Sequence, residues 1–201
     1  MKALLLDADG VVLQKGEYFS EKLSREYNTP IENIIPFFKG PYGECQAGEK
    51  DLKQEVIPYL EEWGWQGDVD EFLEYWFEDI VINPEIERQI MNFRNKGIAC
   101  YLASNNEHYR ARRIEAVLGD KLNGYFFSAD LKVIKDNPDY FKIILERLNL
   151  LASEVGFTDN EEKNITAARE KGINAKLFNE GVVAELFDES INQIEFKLKT
   201  Q

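Results

Sequence analysis

A chain of 201 residues, 44% hydrophobic and 30% charged, holds enough apolar material for one full core and a small inserted module. Its formal net charge of −13, with no basic stripe to follow a phosphate backbone, argues against nucleic acid as a partner. No apolar run reaches the ~20 residues that a bilayer-spanning helix needs, so no membrane partner is expected either.

The amino-terminal stretch lacks the charged-then-apolar pattern and small-residue cleavage site of a signal peptide, and a cytoplasmic setting is expected. The two cysteines, Cys45 and Cys100, lie far apart without metal-ligand spacing. Both read as buried thiols in a reducing compartment.

In chain order, Ala3 to Leu6 read as a short, fully buried strand closed by a turn at Gly10, which delivers Asp7 and Asp9 to the carboxyl edge of a sheet. From about residue 17 to 82 the pattern is helical throughout: EYFSEKLSREYN, Pro30 to Phe38, EKDLKQEVIPYLEEWGW and VDEFLEYWFEDIV. The stretch GPYGECQAGE inside this block reads as a Gly-bearing loop that could present Tyr42 or Glu44 to a substrate. The block's many aromatic residues, Trp63 and Trp76 among them, read mostly as packing between its helices.

From Asn83 the grammar alternates. Asn83-Pro84 start a helix that Gly97 closes before the strand-like run IACYLA; a second helix ends at Leu118-Gly119 before YFFS. A third runs from Pro138 to Leu150 before EVGFT, and a fourth ends at Gly172 before AKLF. Strands alternating with helices imply right-handed βαβ units and a parallel, doubly wound α/β sheet. The helical block is then an insertion: residues 15–83 between 1–14 and 84–201.

Three later positions reach the same sheet edge. IACYLA ends in Ser104-Asn105-Asn106, a hydroxyl and backbone amides beyond a strand, where an anion fits or a helix is capped. Lys135 precedes the helix begun by Asn137-Pro138 and taken alone reads as a solvated loop lysine. EVGFT runs into Asp159-Asn160, with Asn164 further on, again an acid at a strand terminus or a cap. His108, the only histidine, reads as a surface or capping residue near a helix start.

Together the four segments resemble the haloacid dehalogenase superfamily. DADGVV is similar to its first motif, LASN to its second, Lys135 in KDNP to its third and FTDNEEKN to its fourth, with the helical block where that family inserts a cap. The resemblance implies that Asp7 is nucleophile and metal ligand, while Asp9 gives its carbonyl to the metal and its side chain to acid and base catalysis. It implies Ser104 holding a phosphate oxygen with Asn105 beside it, Lys135 neutralising developing charge, and Mg²⁺ bound by Asp7, Asp9 and the Asp159-Asn160 pair. The substrate it implies is a small phosphate ester.

The chemistry is reachable from the residues as well. A carboxylate attacking a phosphate dianion meets about 4 kcal/mol of repulsion per charge pair at ~4 Å and an effective dielectric of ~20, which a divalent cation and a lysine would offset. Dehalogenases resemble this motif but carry a non-acidic residue at the place of Asp9, because a halide leaves without a proton. Asp9 therefore points to phosphate ester hydrolysis. Asn160 departs from the family's F-x-D-D pattern, where an acid commonly binds the metal. A phosphomutase, a dehalogenase and a non-catalytic binder of a phosphorylated ligand or protein stay open as alternatives. Discrimination between substrates is expected from the inserted block, above all from the segment between Gly40 and Gly48.

Overall fold

A computed structural model describes residues 1–178 of the chain. The expected carboxyl-terminal part of the α/β unit, residues 179–201, lies outside the described residues. Five strands form one parallel sheet in the order β3-β2-β1-β4-β5: β1 (Ala3–Leu6), β2 (Ala99–Ser104), β3 (Gly124–Phe127), β4 (Val155–Asp159) and β5 (Asn174–Leu177). β1 is central, with Leu6 opposite Leu102 of β2 and Thr158 of β4. All four of its residues are buried, as expected of a strand covered on both faces.

The helices that cover the sheet pack by the faces their sequence periodicity provides. On one face lie α6 (Pro84–Asn95), through Ile86, Ile90 and Phe93, and α7 (His108–Leu118), through Ala111, Ile114 and Leu118, against Leu4 and Leu6. On the other lie α9 (Pro138–Leu148), through Tyr140, Phe141 and Ile144, and α10 (Glu162–Glu170), through Ile165, Ala167 and Ala168, against Ala3 and Leu5. The chain winds outward from β1 to β3 on one side and then crosses to β4 on the other. The reversal opens a crevice at the carboxyl ends of β1, β2 and β4, where open α/β sheets bind ligands.

The inserted block carries α1 (Phe19–Tyr27), α2 (Ile31–Lys39), α3 (Pro41–Gln46), α4 (Leu52–Leu60) and α5 (Val69–Trp76) around a core of its own. Trp63 is fully buried there, its rings next to those of Phe37, Tyr59 and Phe72, and its indole N–H donates to the Asn33 carbonyl at 3.2 Å. The stretch expected as a loop instead contains α3. Pro41 at its first turn favours helix entry, and Ala47 and Gly48 close it. A further short helix, α8 (Ser128–Leu131), follows β3 directly and packs against α3. Cys45 and Cys100 are free and buried, as the sequence suggests. No helix among the described residues is long and apolar enough to cross a membrane.

Candidate active site

β1 hands Asp7 to the crevice one residue beyond its last ladder position, and the Asp7 N–H still donates to the Thr158 carbonyl of β4 at 3.0 Å. The chain then turns at Gly10, whose φ of +79° suits a residue without Cβ. A Cβ there would also meet the Asn160 amide nitrogen at 2.7 Å. This turn separates the two aspartates: Asp7 is buried, while Asp9 keeps 54% of its side chain exposed.

The loop ahead of α9 brings Lys135 into the same crevice, where it is 3% exposed rather than solvated. Its ammonium contacts the Asp7 carboxylate and donates to Asp159 Oδ2 at 2.6 Å. Burial pushes the Asp7 carboxyl up to about 7; Lys135 works against that push and Asp159 adds to it. Burial alone would lower the Lys135 ammonium, but the two facing carboxylates outweigh it and raise it. Asp159, fully buried, also accepts from the Asn164 amide at 3.0 Å and from the Glu161 backbone N–H at 2.8 Å. Two buried carboxylates share one ammonium in a dry place, and burial together with their mutual repulsion works against both being ionised unless further positive charge is supplied.

Ser104, 1% exposed, ends β2 at the crevice and accepts from the Asn106 amide at 2.7 Å. It caps no helix. Glu107 is the cap of α7, taking the Tyr109 and Arg110 N–H groups at 2.7 and 2.6 Å, so those amides are not free for an anion. Asn105 spends its side-chain oxygen on the Lys135 N–H at 2.9 Å, tying the second motif to the third. Its carbonyl accepts from the Gln46 amide of the inserted block at 2.9 Å.

Arg110, in the first turn of α7, is the site residue that the sequence reading misses. Its guanidinium grips both oxygens of Asp9, at 2.7 and 2.6 Å, and donates to Asn106 Oδ1 at 2.6 Å. The enclosing atoms push the Asp9 carboxyl up, but Arg110 outweighs them and holds it below its ordinary value. An arginine at the fourth position past a polar loop gives little signal; only the fold aims it at Asp9. Tyr42, on α3, is half-buried and close enough for Arg110 and Asp9 to influence its phenol, which burial pushes up. Glu44 points elsewhere, exposed and paired with Lys50 at 2.8 Å. His108 lies on the surface at the start of α7, 3.1 Å from Asp130.

The donor set suits a hard cation. Asp7 and Asp159 offer carboxylate oxygens, Asp9 a carbonyl, and Asn164 Oδ1 is a buried acceptor with no hydrogen-bond partner beside Asp159. Among the described residues no cluster of three or more His, Cys, Asp and Glu side chains stands at metal-holding spacing, and the set here counts only two such side chains besides the carbonyl. Asn160 reaches the same turn: its amide nitrogen donates to the Asp9 carbonyl at 2.9 Å.

Comparison with known structures returns the same architecture. A HAD family enzyme from Bacteroides thetaiotaomicron, crystallised as a magnesium complex, superposes with a TM-score of 0.79 at 21% identity, covering 93% of this chain and 98% of that one. A predicted HAD-like family hydrolase from Porphyromonas gingivalis gives 0.77 at 15% identity over 94% and 97% of the two chains. L-2-haloacid dehalogenase from Xanthobacter autotrophicus, with chloropropionic acid covalently bound, gives 0.66 at 14% identity over 92% and 81%. These likenesses establish the fold. No curated protein matches the sequence. The model of the haloacid dehalogenase-like hydrolases matches residues 1–172, spanning all four motif segments, and the chain belongs to that family.

Proposed function

We propose that the chain is a Mg²⁺-dependent phosphatase that hydrolyses a small phosphorylated metabolite, with Asp7 as nucleophile. The observation that carries this reading is the pair of carboxylates on one turn, Asp7 buried against Lys135 and Asp9 open at the mouth. Displacing a halide gives a second carboxylate nothing to protonate, whereas an alkoxide leaving group does.

In this reading an Asp7 oxygen bonds to phosphorus as the bond from phosphorus to the ester oxygen breaks, and Asp9, let go by Arg110 and protonated from solvent, gives the departing alkoxide its proton. Asp9, now a carboxylate, then takes a proton from the water that attacks the aspartyl-phosphate, which frees phosphate and restores Asp7. Ser104 holds a phosphoryl oxygen, Asn105 lies beside it, and Lys135 opposes the charge that builds on the phosphoryl group and Asp7. Asp7, Asp159 and the Asp9 carbonyl would hold Mg²⁺, which when bound supplies the positive charge that lets a dianion approach two carboxylates. Residues 15–83 serve as a cap over the crevice, with Tyr42 on its inner side, on a core made of residues 1–14 and the chain from 84 onward.

Hydrolysis of 4-nitrophenyl phosphate, titrated with Mg²⁺, tests the reading. Activity should rise with Mg²⁺, and Asp7→Asn should remove at least about a thousandfold while the far-ultraviolet dichroism stays that of the wild type. Hydrolysis that ignores Mg²⁺, or that survives in Asp7→Asn, would refute it. The Asn160 amide on the Asp9 carbonyl favours a second reading, a binder of phosphorylated ligands with a weakened metal site. That reading expects inorganic phosphate to bind without any turnover of the ester.

A further inference from the structure

The contacts of Arg110 specify more than a tether for Asp9. A guanidinium has five N–H groups, and three are spent: Nη1 on Asp9 Oδ2 and Asn106 Oδ1, Nη2 on Asp9 Oδ1. Among the described residues nothing accepts from the remaining Nη2 hydrogen or from Nε, and these two form the second of the forks with which arginine grips an oxyanion.

The two partners of Arg110 differ in freedom. Asn106 is completely buried and locked to Ser104, so it fixes the guanidinium, whose side chain is 17% exposed. Asp9 is the exposed member, with 54% of its side chain open to solvent. An anion seated on the free Nε–Nη2 fork would share Nη2 with Asp9 Oδ1, weaken the hold on the Asp9 carboxylate and leave Arg110 where Asn106 fixes it. Asp9 would then be free to turn to the leaving oxygen, which both of its oxygens, held on Arg110, do not reach for now.

We propose that Arg110 is the receptor for a second anionic group, on the alcohol side of the substrate ester, and that docking of this group releases Asp9 for proton transfer. The inference rests on the phosphatase reading and adds the substrate class: phosphate monoesters whose alcohol carries a carboxylate or a further phosphoryl group. In a chain of net charge −13, a dedicated cation is what such a doubly anionic ligand requires.

The test compares esters that differ in that group alone. 3-Phosphoglycerate and glycerol 3-phosphate differ by a carboxylate in place of a hydroxymethyl group. Propane-1,3-diol bisphosphate and 3-hydroxypropyl phosphate form the phosphoryl arm, and 4-nitrophenyl phosphate, whose leaving group needs no proton, is the reference. Wild type should favour the anionic member of at least one pair by about tenfold or more in kcat/KM, the size expected of charge-assisted hydrogen bonds. Arg110→Ala should collapse that ratio toward one by raising KM for the anionic ester and raising kcat for the neutral one, whose Asp9 is then no longer held, and Arg110→Lys should restore part of it.

Hydrolysis of the reference with no preference in either pair overturns this inference and leaves the phosphatase reading intact. A preference that persists in Arg110→Ala overturns it as well. No hydrolysis of the reference removes the phosphatase reading and this one with it. The wild-type ratio requires no variant to fold, and the lysine variant keeps the charge that the Asp9 turn is built on.

Discussion

Lys135 shows how little a residue means before the fold places it. In the sequence it stands in a polar stretch, KDNP; in the structure it is buried between Asp7 and Asp159. Replacing it by methionine removes the only cation between two buried carboxylates, and one partner of a buried ionic group is worth about 3–5 kcal/mol when it is taken away alone. A divalent cation bound by those carboxylates would return part of that loss. Thermal melts of wild type and Lys135→Met with and without Mg²⁺ should therefore show a lower Tm for the variant and a larger upward shift on adding Mg²⁺. Equal shifts in the two proteins would mean that Asp7 and Asp159 do not share the ion. Asp7, Asp9, Ser104 and Asp159 were legible because each follows an apolar run at a strand end. Arg110 was not, since its role depends on α7 leaving β2 at an angle that aims one long side chain across to the first turn.

At the scale of elements, the alternating half of the chain was readable because each change of period coincides with a turn residue: Asn83-Pro84 starts α6, Gly97 ends it, and Asn137-Pro138 starts α9. The segment from Gly40 to Gly48 was misread because three glycines in nine residues suggest a loop. Local signals for α3 were present in Pro41, but tertiary packing against α8 decides it. The glycines within it have opposite roles. Gly48 has φ +71°, and a Cβ on it would lie 2.3 Å from the Ala129 carbonyl of α8. Gly43 sits inside α3 with nothing within 4 Å of its would-be Cβ. Gly48→Ala should cost about 1–3 kcal/mol through backbone strain and the displaced α3–α8 contact. Gly43→Ala should leave stability unchanged or raise it by about 0.5–1 kcal/mol. Denaturant unfolding of the two variants checks both signs. A harmless Gly48→Ala would mean that the inserted block does not rest on α8 through this residue.

The molecule as a whole is joined to its inserted block in two unlike ways. Where the chain leaves and re-enters the α/β unit, the two connecting strands hold each other by backbone: Gln14 N–H donates to the Val81 carbonyl, and Asn83 N–H to the Val12 carbonyl, both at 2.8 Å, with Leu13 bridged to Ile82. On the far side the block is held by the packing of α3 on α8, by Tyr109 against its core and by three polar contacts. The Gln46 amide meets the Asn105 carbonyl, the Ser128 hydroxyl meets the Gln46 carbonyl at 2.6 Å, and the Tyr109 hydroxyl meets Asp51 at 2.7 Å. Each such bond is worth about 0.5–1.5 kcal/mol net, and all three are lost when this side parts while the backbone pair stays closed. That asymmetry defines a direction of opening. The block is expected to swing about residues 12–14 and 81–83, opening the crevice beside Asn105, where Arg110, Ser104 and Lys135 gather. Hydrogen exchange tests it. Gln46→Ala combined with Tyr109→Phe removes two of the three polar contacts while the phenylalanine keeps the ring that packs against the block's core, so amides of α3 and α8 should exchange about tenfold or more faster for each 1.4 kcal/mol lost. Amides of β1 and those around Trp63 should keep their protection, because neither the sheet nor the core of the block is broken by the swing. Exchange that quickens equally everywhere would mean that the block unfolds rather than opens, and the hinge at residues 12–14 and 81–83 would have to be abandoned.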